Sequence, residues 1–395
     1  MEMKFNLASP EEIKKGLTTD IYFVRTKEIL EQKGVKVRAL AEVTSGRLPR
    51  NWPWAVLCGT DEVAALFEGL PVDVYSLPEG TIFTPEDLRG VRVPLLTIEG
   101  IYTDYCLYET PMLGFLCHAS GVATKAARMR KLVGKKLLIA FGIRRAHPGI
   151  SPMLDRATYI GGFDGVSSLL GAKTIGKEPM GTMPHALIIS LGSQQKAWKA
   201  FDELMPEGVP RIALIDTYYD EKAEAIMALE TLGKRLYGVR LDTPSSRKGN
   251  FAELIREVRW ELDLRGGKHV KIVVSGGVDD TNIKELSEAG ADAFGVGTSI
   301  TNAPVLDLAM DIVEIEGKPV AKRGKLGGRK RVWRCEACLG MLVLPHAESQ
   351  PSCPRCGGRM EESLKPLVLG GKPCKLPSVD EIRERVLSQL EKVSI

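Results

Sequence analysis

Two glycine turns, Ser275-Gly276-Gly277 and Gly297-Thr298-Ser299, end consecutive short apolar runs at residues 272–274 and 293–296. Bare glycine backbone lets an anion approach the N–H groups, and the neighbouring hydroxyls can donate to it. Together these are the equipment of a phosphate site. Tight strand-to-helix turns alone would need the same glycines. Two such turns one βα unit apart, however, match the place where parallel barrels hold phosphate.

Other groups suited to chemistry sit at comparable positions. FGIRRAHP places Arg144, Arg145 and His147 just past the apolar run 137–142. Adjacent arginines there invite a carboxylate or phosphate, which a guanidinium fork grips with two parallel bonds; one of the two could instead pair with a barrel carboxylate. Asp216 ends IALIDT, and Asp242 ends YGVRLDT with Arg240 two residues earlier on the same strand face. Such carboxylates bind magnesium, stabilise a cationic transition state, or cap the next helix; Asp242, followed by Thr243, Ser245 and Ser246, leans to function. In GTMPHALIISLG, residues 181–192, His185 follows a proline that should begin a helix and lies beside Thr182. A helix dipole there disfavours imidazolium and leaves a neutral, nucleophilic ring.

Cys335, Cys338, Cys353 and Cys356 form two CxxC knuckles with 14 residues between them, each followed within two residues by glycine. Four thiolates just under zinc-ribbon spacing predict a closed, structural zinc site, ahead of a redox pair or iron.

These residues need elements to position them. The 395 residues allow two or three domains, and 44% hydrophobic with 26% charged residues is ordinary globular composition. A net charge of +4 suits an anionic small substrate as well as nucleic acid. No stretch is long and apolar enough for a membrane span, and the polar start MEMKFNLASPEE lacks a signal-peptide core, so a soluble, cytoplasmic protein is expected.

In chain order, Ser9-Pro10-Glu11-Glu12 opens a capped helix, and a second follows over LTTDIYFVRTKEIL. Strands are predicted at 36–43, 54–58, 72–77 and 93–98, with a helix at 61–67, which implies an α+β domain. Residues 105–132 read as one long helix, or a pair broken near Gly121. From Leu137 a strand-turn-helix rhythm sets in, with strands at 137–142, 159–163, 172–175, 212–217, 237–243, 271–276 and 293–297. Helices are expected at 220–232 and 250–264, and from an Asp280-Thr281 cap to Gly290. The fold class is therefore α/β: an irregular, incomplete parallel α/β barrel, an N-terminal α/β sandwich domain and a small C-terminal zinc knuckle. The boundaries fall at 1–110 (sandwich), 111–300 (barrel and active site), 301–334 (return segment), 335–376 (knuckle) and 377–395 (terminal helix). Residues 318–334 carry eight basic and no acidic residues, which reads as a solvated connector or as cations brought to a polyphosphate.

DIYFVRT at 20–26, FGIRRAHP, the GG-D-G of 161–165, GTMPHAL, LIDTY, VRLDTPSSR, VSGG, GVGTS and the knuckles together resemble the nicotinate phosphoribosyltransferases of the type II phosphoribosyltransferase fold, above all their archaeal members. The resemblance spans nearly the whole chain. It implies an enzyme of NAD biosynthesis that joins nicotinate to 5-phosphoribosyl 1-diphosphate, giving nicotinate mononucleotide and diphosphate, with ATP hydrolysis coupled through a phosphohistidine at His185. It also implies magnesium on the diphosphate and a homo-oligomer, from a dimer up to a hexamer, with active sites at a subunit interface. Tyr22 then stacks on the partner's pyridine ring; Phe141, Thr182 and Arg240 contact nicotinate with Arg144. Gly276, Gly277, Gly297 and Thr298, with Arg145 and Ser245, hold the phosphoribosyl diphosphate. Asp242 is the carboxylate expected near the ribosyl cation, and Asp216 is grouped with the catalytic residues.

Quinolinate phosphoribosyltransferase shares this fold but needs a denser basic cluster and no histidine phosphorylation, and a nicotinamide enzyme would be the neutral-ring variant. From another class, the knuckle with its basic stretch would make a nucleic-acid-binding module, with salt-dependent affinity lost on deleting residues 318–360.

Overall fold

Residues 5–395 are described in the computed structural model of the chain, so the first four residues of the polar start lie outside the described part. The chain divides into two compact units, residues 1–127 with 304–395, and residues 128–303. Among the described residues no helix is long and apolar enough to cross a membrane.

The second unit is a six-stranded parallel sheet: β1 Leu137–Ala140, β2 Gly165–Val166, β3 Ile212–Leu214, β4 Gly238–Leu241, β5 Lys271–Val274 and β6 Ala293–Val296, in the order β2-β1-β6-β5-β4-β3. Among the described residues its outer strands β2 and β3 pair with no further strand, so the barrel is incomplete. Both faces of β3 and β6 are buried along their whole length, which is why these segments are unbroken apolar runs instead of alternating ones. Eight helices accompany them: α1 Ser151–Ile160, α2 Leu169–Thr174, α3 His185–Leu191, α4 Gln194–Leu204, α5 Glu221–Leu232, α6 Phe251–Leu264, α7 Ile283–Glu288 and α8 Thr298–Thr301.

Several expectations are corrected here. Residues 159–163 are not a strand: they end α1 and turn, because Leu154, Ala157, Thr158 and Ile160 recur at helical spacing and are buried on that face. The strand is displaced to Gly165–Val166, after Asp164 accepts the Leu138 N–H at 2.9 Å and the Arg130 guanidinium at 2.5 Å. Residues 172–174 belong to α2, started by a Ser168 cap. The helix α7 starts at Ile283 and not at an Asp280-Thr281 cap, since Asp279 folds an Asx turn onto the Thr281 and Asn282 N–H groups.

The first unit is built on a seven-stranded antiparallel sheet ordered Lys318–Pro319, Leu308–Ile315, Arg38–Ser45, Pro94–Ile101, Asp73–Ser76, Lys365–Leu369, Lys372–Pro373. Chain returning from the barrel thus supplies both flanks. The core holds Phe67, Leu95, Leu96, Ile98, Tyr105 and Met112. The helix Glu109–Val133 runs unbroken through Gly121, where a Cβ would lie 2.2 Å from the Pro304 carbonyl. Glycine serves there for close approach and does not mark a break.

The basic stretch is exposed over residues 318–324, yet several of its cations are paired. Lys322 and Lys325 meet Asp311 at 2.5 and 2.8 Å, Arg329 meets Glu99 at 2.6 Å, and Lys330 meets Glu42 at 2.8 Å. Its end forms the strand Lys330–Cys335, which pairs with Met341–Pro345 and Met360–Glu362 in a small antiparallel sheet.

Candidate active site

The glycine turns close the strand ends of β5 and β6, which the sheet order places side by side next to β1. Gly276 and Gly277 both take left-handed conformations, φ 76° and 73°, open without strain only to glycine. Among the described residues, the N–H groups of Gly276 and Gly277 have no protein acceptor and remain free for an anion. The β6 turn adjoins the β1 loop so closely that a Cβ on Gly142 would stand 2.5 Å from the Gly297 carbonyl oxygen. Thr298 follows as the first residue of α8.

Arg240, on β4, organises the neighbouring pocket. Its Nη2 donates to Asp242 Oδ2 at 2.9 Å, its Nε to Ser275 Oγ at 3.1 Å, and its Nη1 to Thr182 Oγ1 and, at 3.3 Å, to the Met183 carbonyl. The guanidinium also lies 5.8 Å from the Phe141 ring centre. That ring in turn covers Gly295, where a Cβ would come within 2.3 Å of it. Phe141, Thr182 and Arg240 are therefore brought together, and Asp242 joins them. Asp242 Oδ1 accepts the Ser275 hydroxyl at 2.9 Å and stands 3.0 Å from the Cβ position of Gly276. The arginine cluster and the glycine turn thus share a carboxylate.

His185 is the first residue of α3, with Pro184 at the cap position. Its Nε2 lies 3.0 Å from Asp216 Oδ1, and the other oxygen of Asp216 accepts the Asp242 N–H at 2.9 Å. The Asp216 side chain is 2% exposed and that of His185 37% exposed, so the carboxylate is hidden and the ring partly accessible. Burial pushes the Asp216 carboxyl above its usual range, and the Asp242 charge adds to this against the opposing pull of His185. Capping is excluded for both strand-end aspartates, because Asp220 caps α5 and Asn250 caps α6.

Other expected residues stand apart. Arg144 and Arg145 form a short 3-10 turn at Ile143–Arg145, both exposed, and among the described residues neither makes an ion pair, against the alternative that one would meet a barrel carboxylate. His147 Nδ1 accepts the Gly149 N–H at 3.1 Å. Ser245 is exposed on the loop after β4 and bonds to neither glycine turn. Tyr22 lies in the first unit, 55% exposed on the helix Ile21–Gln32; burial and then the charges of Asp20 and Glu109 push its hydroxyl pKa up.

Sequence reasoning missed Lys248. Its ammonium donates to the Gly276 carbonyl, lies 4.5 Å from the Phe251 ring centre, and comes 3.2 Å from the Cβ position of Gly277. Burial lowers its pKa. The signal was available in the loop sequence TPSSRKGN, where the lysine follows three hydroxyl residues on the strand end facing the anion turn.

In the first unit, the four cysteine sulfurs lie within 4.8 Å of one another, with Cys335–Cys356 at 3.5 Å and Cys338–Cys353 at 3.6 Å. Sulfurs in tetrahedral contact with one zinc ion would be about 3.8 Å apart. Leu339 and Gly357 take positive φ after each knuckle, and the Gly340 and Gly358 carbonyls accept the Cys335 and Cys353 N–H groups. Burial raises the Cys353 thiol, but N–H groups of Cys356 and Arg355 bring it down to about 7. The cluster is built to hold a metal.

Two domain families match in sequence: the N-terminal domain of quinolinate phosphoribosyl transferase over residues 20–120, and its C-terminal domain over residues 122–311. A nicotinate phosphoribosyltransferase of Mycobacterium tuberculosis is 30% identical across 95% of this chain and 90% of its own. One from Bacillus subtilis is 28% identical across 81% and 73%. A crystal structure of nicotinate-nucleotide pyrophosphorylase from Pyrococcus furiosus superposes with a TM-score of 0.96 over 100% of both chains at 54% identity. Human nicotinic acid phosphoribosyltransferase shares the fold, with a TM-score of 0.75, 22% identity and coverage of 95% and 94%. The chain belongs to the nicotinate phosphoribosyltransferase family.

Proposed function

We propose that this chain joins nicotinate to 5-phosphoribosyl 1-diphosphate, releasing diphosphate and forming nicotinate mononucleotide for NAD biosynthesis, with ATP hydrolysis coupled through His185. One observation carries the reading: a partly buried guanidinium, framed by an aromatic face and a threonine hydroxyl, adjoins a glycine turn with free N–H groups. An aromatic carboxylate fits the first and a sugar phosphate the second. The relatives' names point to the same substrate.

Loss of diphosphate builds positive charge on the anomeric carbon, and the Asp242 carboxylate stands beside the glycine turn. The pyridine nitrogen attacks with its own lone pair, so no general base is required. Magnesium enters with the diphosphate; Asp216 and Asp242 are already bonded to His185 and Arg240 and do not form an oxygen cage of their own. Lys248 gives the anion turn a cation. With Nε2 of His185 facing Asp216, Nδ1 holds the lone pair that takes the γ-phosphoryl group of ATP, and ADP leaves. Phosphate on His185 then alters the affinity for diphosphate and its ester without entering the bond-making step. Tyr22 serves the site of a second subunit, in keeping with its exposure. Zinc is the metal of the four cysteines, in a structural role.

The reading is tested by offering nicotinate, nicotinamide and quinolinate side by side with phosphoribosyl diphosphate, with and without ATP. Nicotinate alone is expected to react, faster with ATP; carbon dioxide released from quinolinate would replace this assignment with the other one. Arg240→Met should lower kcat/KM for nicotinate by on the order of 10²–10³-fold in steady-state kinetics, since it removes one member of a hydrogen-bonded, mostly buried charge pair. Tyr22→Ala should weaken nicotinate use, and mixing it with an inactive Arg240 variant should restore part of the activity. If no activity returns on mixing, sites are not shared between subunits.

A further inference from the structure

Glu224 plays no part in the chemistry described so far, yet its carboxylate is fully buried, 0% exposed, on the first turn of α5. Among the described residues no lysine or arginine pairs with it. Its acceptors are filled by neutral donors instead: Oε2 takes the Thr217 N–H at 3.2 Å, and Oε1 takes the Tyr218 and Tyr219 N–H groups at 2.7 and 2.8 Å and the Gln194 side-chain amide at 2.7 Å. A buried carboxylate without a cation is costly, and four directed bonds are what make it tolerable.

The four donors come from two segments. Thr217, Tyr218 and Tyr219 directly follow Asp216 in the loop after β3. Gln194, 2% exposed, is the first residue of α4, two residues past the Gly192 that ends α3, the helix His185 begins. One side chain therefore fixes the chain bearing Asp216 and the chain bearing His185 relative to each other. We infer that Glu224 is a positioning residue, which sets the His185–Asp216 contact and hence the readiness of the ring to accept a phosphoryl group. The inference rests on the phosphohistidine reading only in its last step.

The test uses the full-length protein as wild type, Glu224→Gln and Gln194→Leu. Carbethoxylation of His185 by diethylpyrocarbonate at one fixed pH, followed by peptide mass spectrometry, reports the contact without ATP. A carboxylate bonded to Nε2 keeps the ring oriented with its lone pair on Nδ1, so loosening the clamp should slow the modification several-fold. Labelling of His185 from ATP should slow by about 10²-fold, while KM for nicotinate stays within about twofold. Gln194→Leu cuts only the link to α4, so its carbethoxylation rate should move in the same direction, and this variant decides the matter if Glu224→Gln does not fold. Variants that melt earlier but keep the wild-type carbethoxylation rate would overturn the inference and make Glu224 a packing group. A slowed carbethoxylation in a protein that takes no label even as wild type would uphold the positioning role and count against ATP coupling instead.

Discussion

His185→Ala is expected to abolish incorporation of the ATP γ-phosphate entirely and to remove ATP stimulation, while slow nucleotide synthesis from phosphoribosyl diphosphate persists. The chain has five histidines, so the selectivity of this result needs a reason. Of the five, only His185 faces a buried carboxylate, 3.0 Å from Asp216. His118 is half-buried with its imidazolium disfavoured by burial, His147 uses its Nδ1 on the Gly149 N–H, and His269 and His346 are exposed. A ring with one nitrogen fixed by a carboxylate presents the other as a nucleophile, and its imidazolium-like phosphorylated state keeps that partner. Acid-labile label measured on digested peptides checks the result; label persisting on another histidine would mean that the coupling runs elsewhere.

The largest expected effect on stability comes from the cysteine cluster. Cys353→Ser, or removal of the metal by a chelator, should cost much of the roughly 10–16 kcal/mol that a structural zinc ion supplies at neutral pH. The damage should not stay local. The small sheet that carries the knuckles is bonded into the first unit: the Val343 N–H donates to buried Asp87 at 2.8 Å, Arg89 donates to the Val343 carbonyl at 2.6 Å, and the Leu88 N–H reaches the Met341 carbonyl at 3.0 Å. Arg334 reaches the Ile82 carbonyl and Gln389, which also bonds Gly80. Differential scanning calorimetry should therefore show the first unit melting more than about 10 °C lower, and native mass spectrometry one metal ion lost per chain. An unchanged melting profile after verified metal loss would make the cluster energetically idle.

How much of this was readable in the sequence depends on how local the cause is. The strands β1, β3, β4, β5 and β6 were legible because burial on both faces demands apolar, β-branched runs ended by glycine or aspartate. The glycine turn was legible because left-handed backbone demands glycine at residues 276 and 277. The knuckles were legible because metal ligation fixes spacing. Residues 159–163 misled, since a short apolar run fits a strand or one face of a helix equally well. The pairing within the basic stretch was hidden for a different reason: the partners of Lys330 and Arg329 lie 288 and 230 positions away, and no local pattern can show them. Glu224 and Lys248 escaped for the same reason in milder form. Each acts across a gap between segments, where its role depends on geometry and not on residue type.

The seven-stranded sheet has a consequence for how the protein is made. Strand Arg38–Ser45 must wait for Leu308–Ile315, its neighbour on one side, and the far edge waits for Lys365–Leu369. At about 5–20 residues per second on the ribosome, that delay is on the order of 15–50 s. Residues 128–303 are contiguous and can collapse as they emerge, so the middle of the polypeptide matures before its beginning. Meanwhile the unpaired edge of the early strands stays open to the nascent chain's surroundings, and chaperone protection would matter most there.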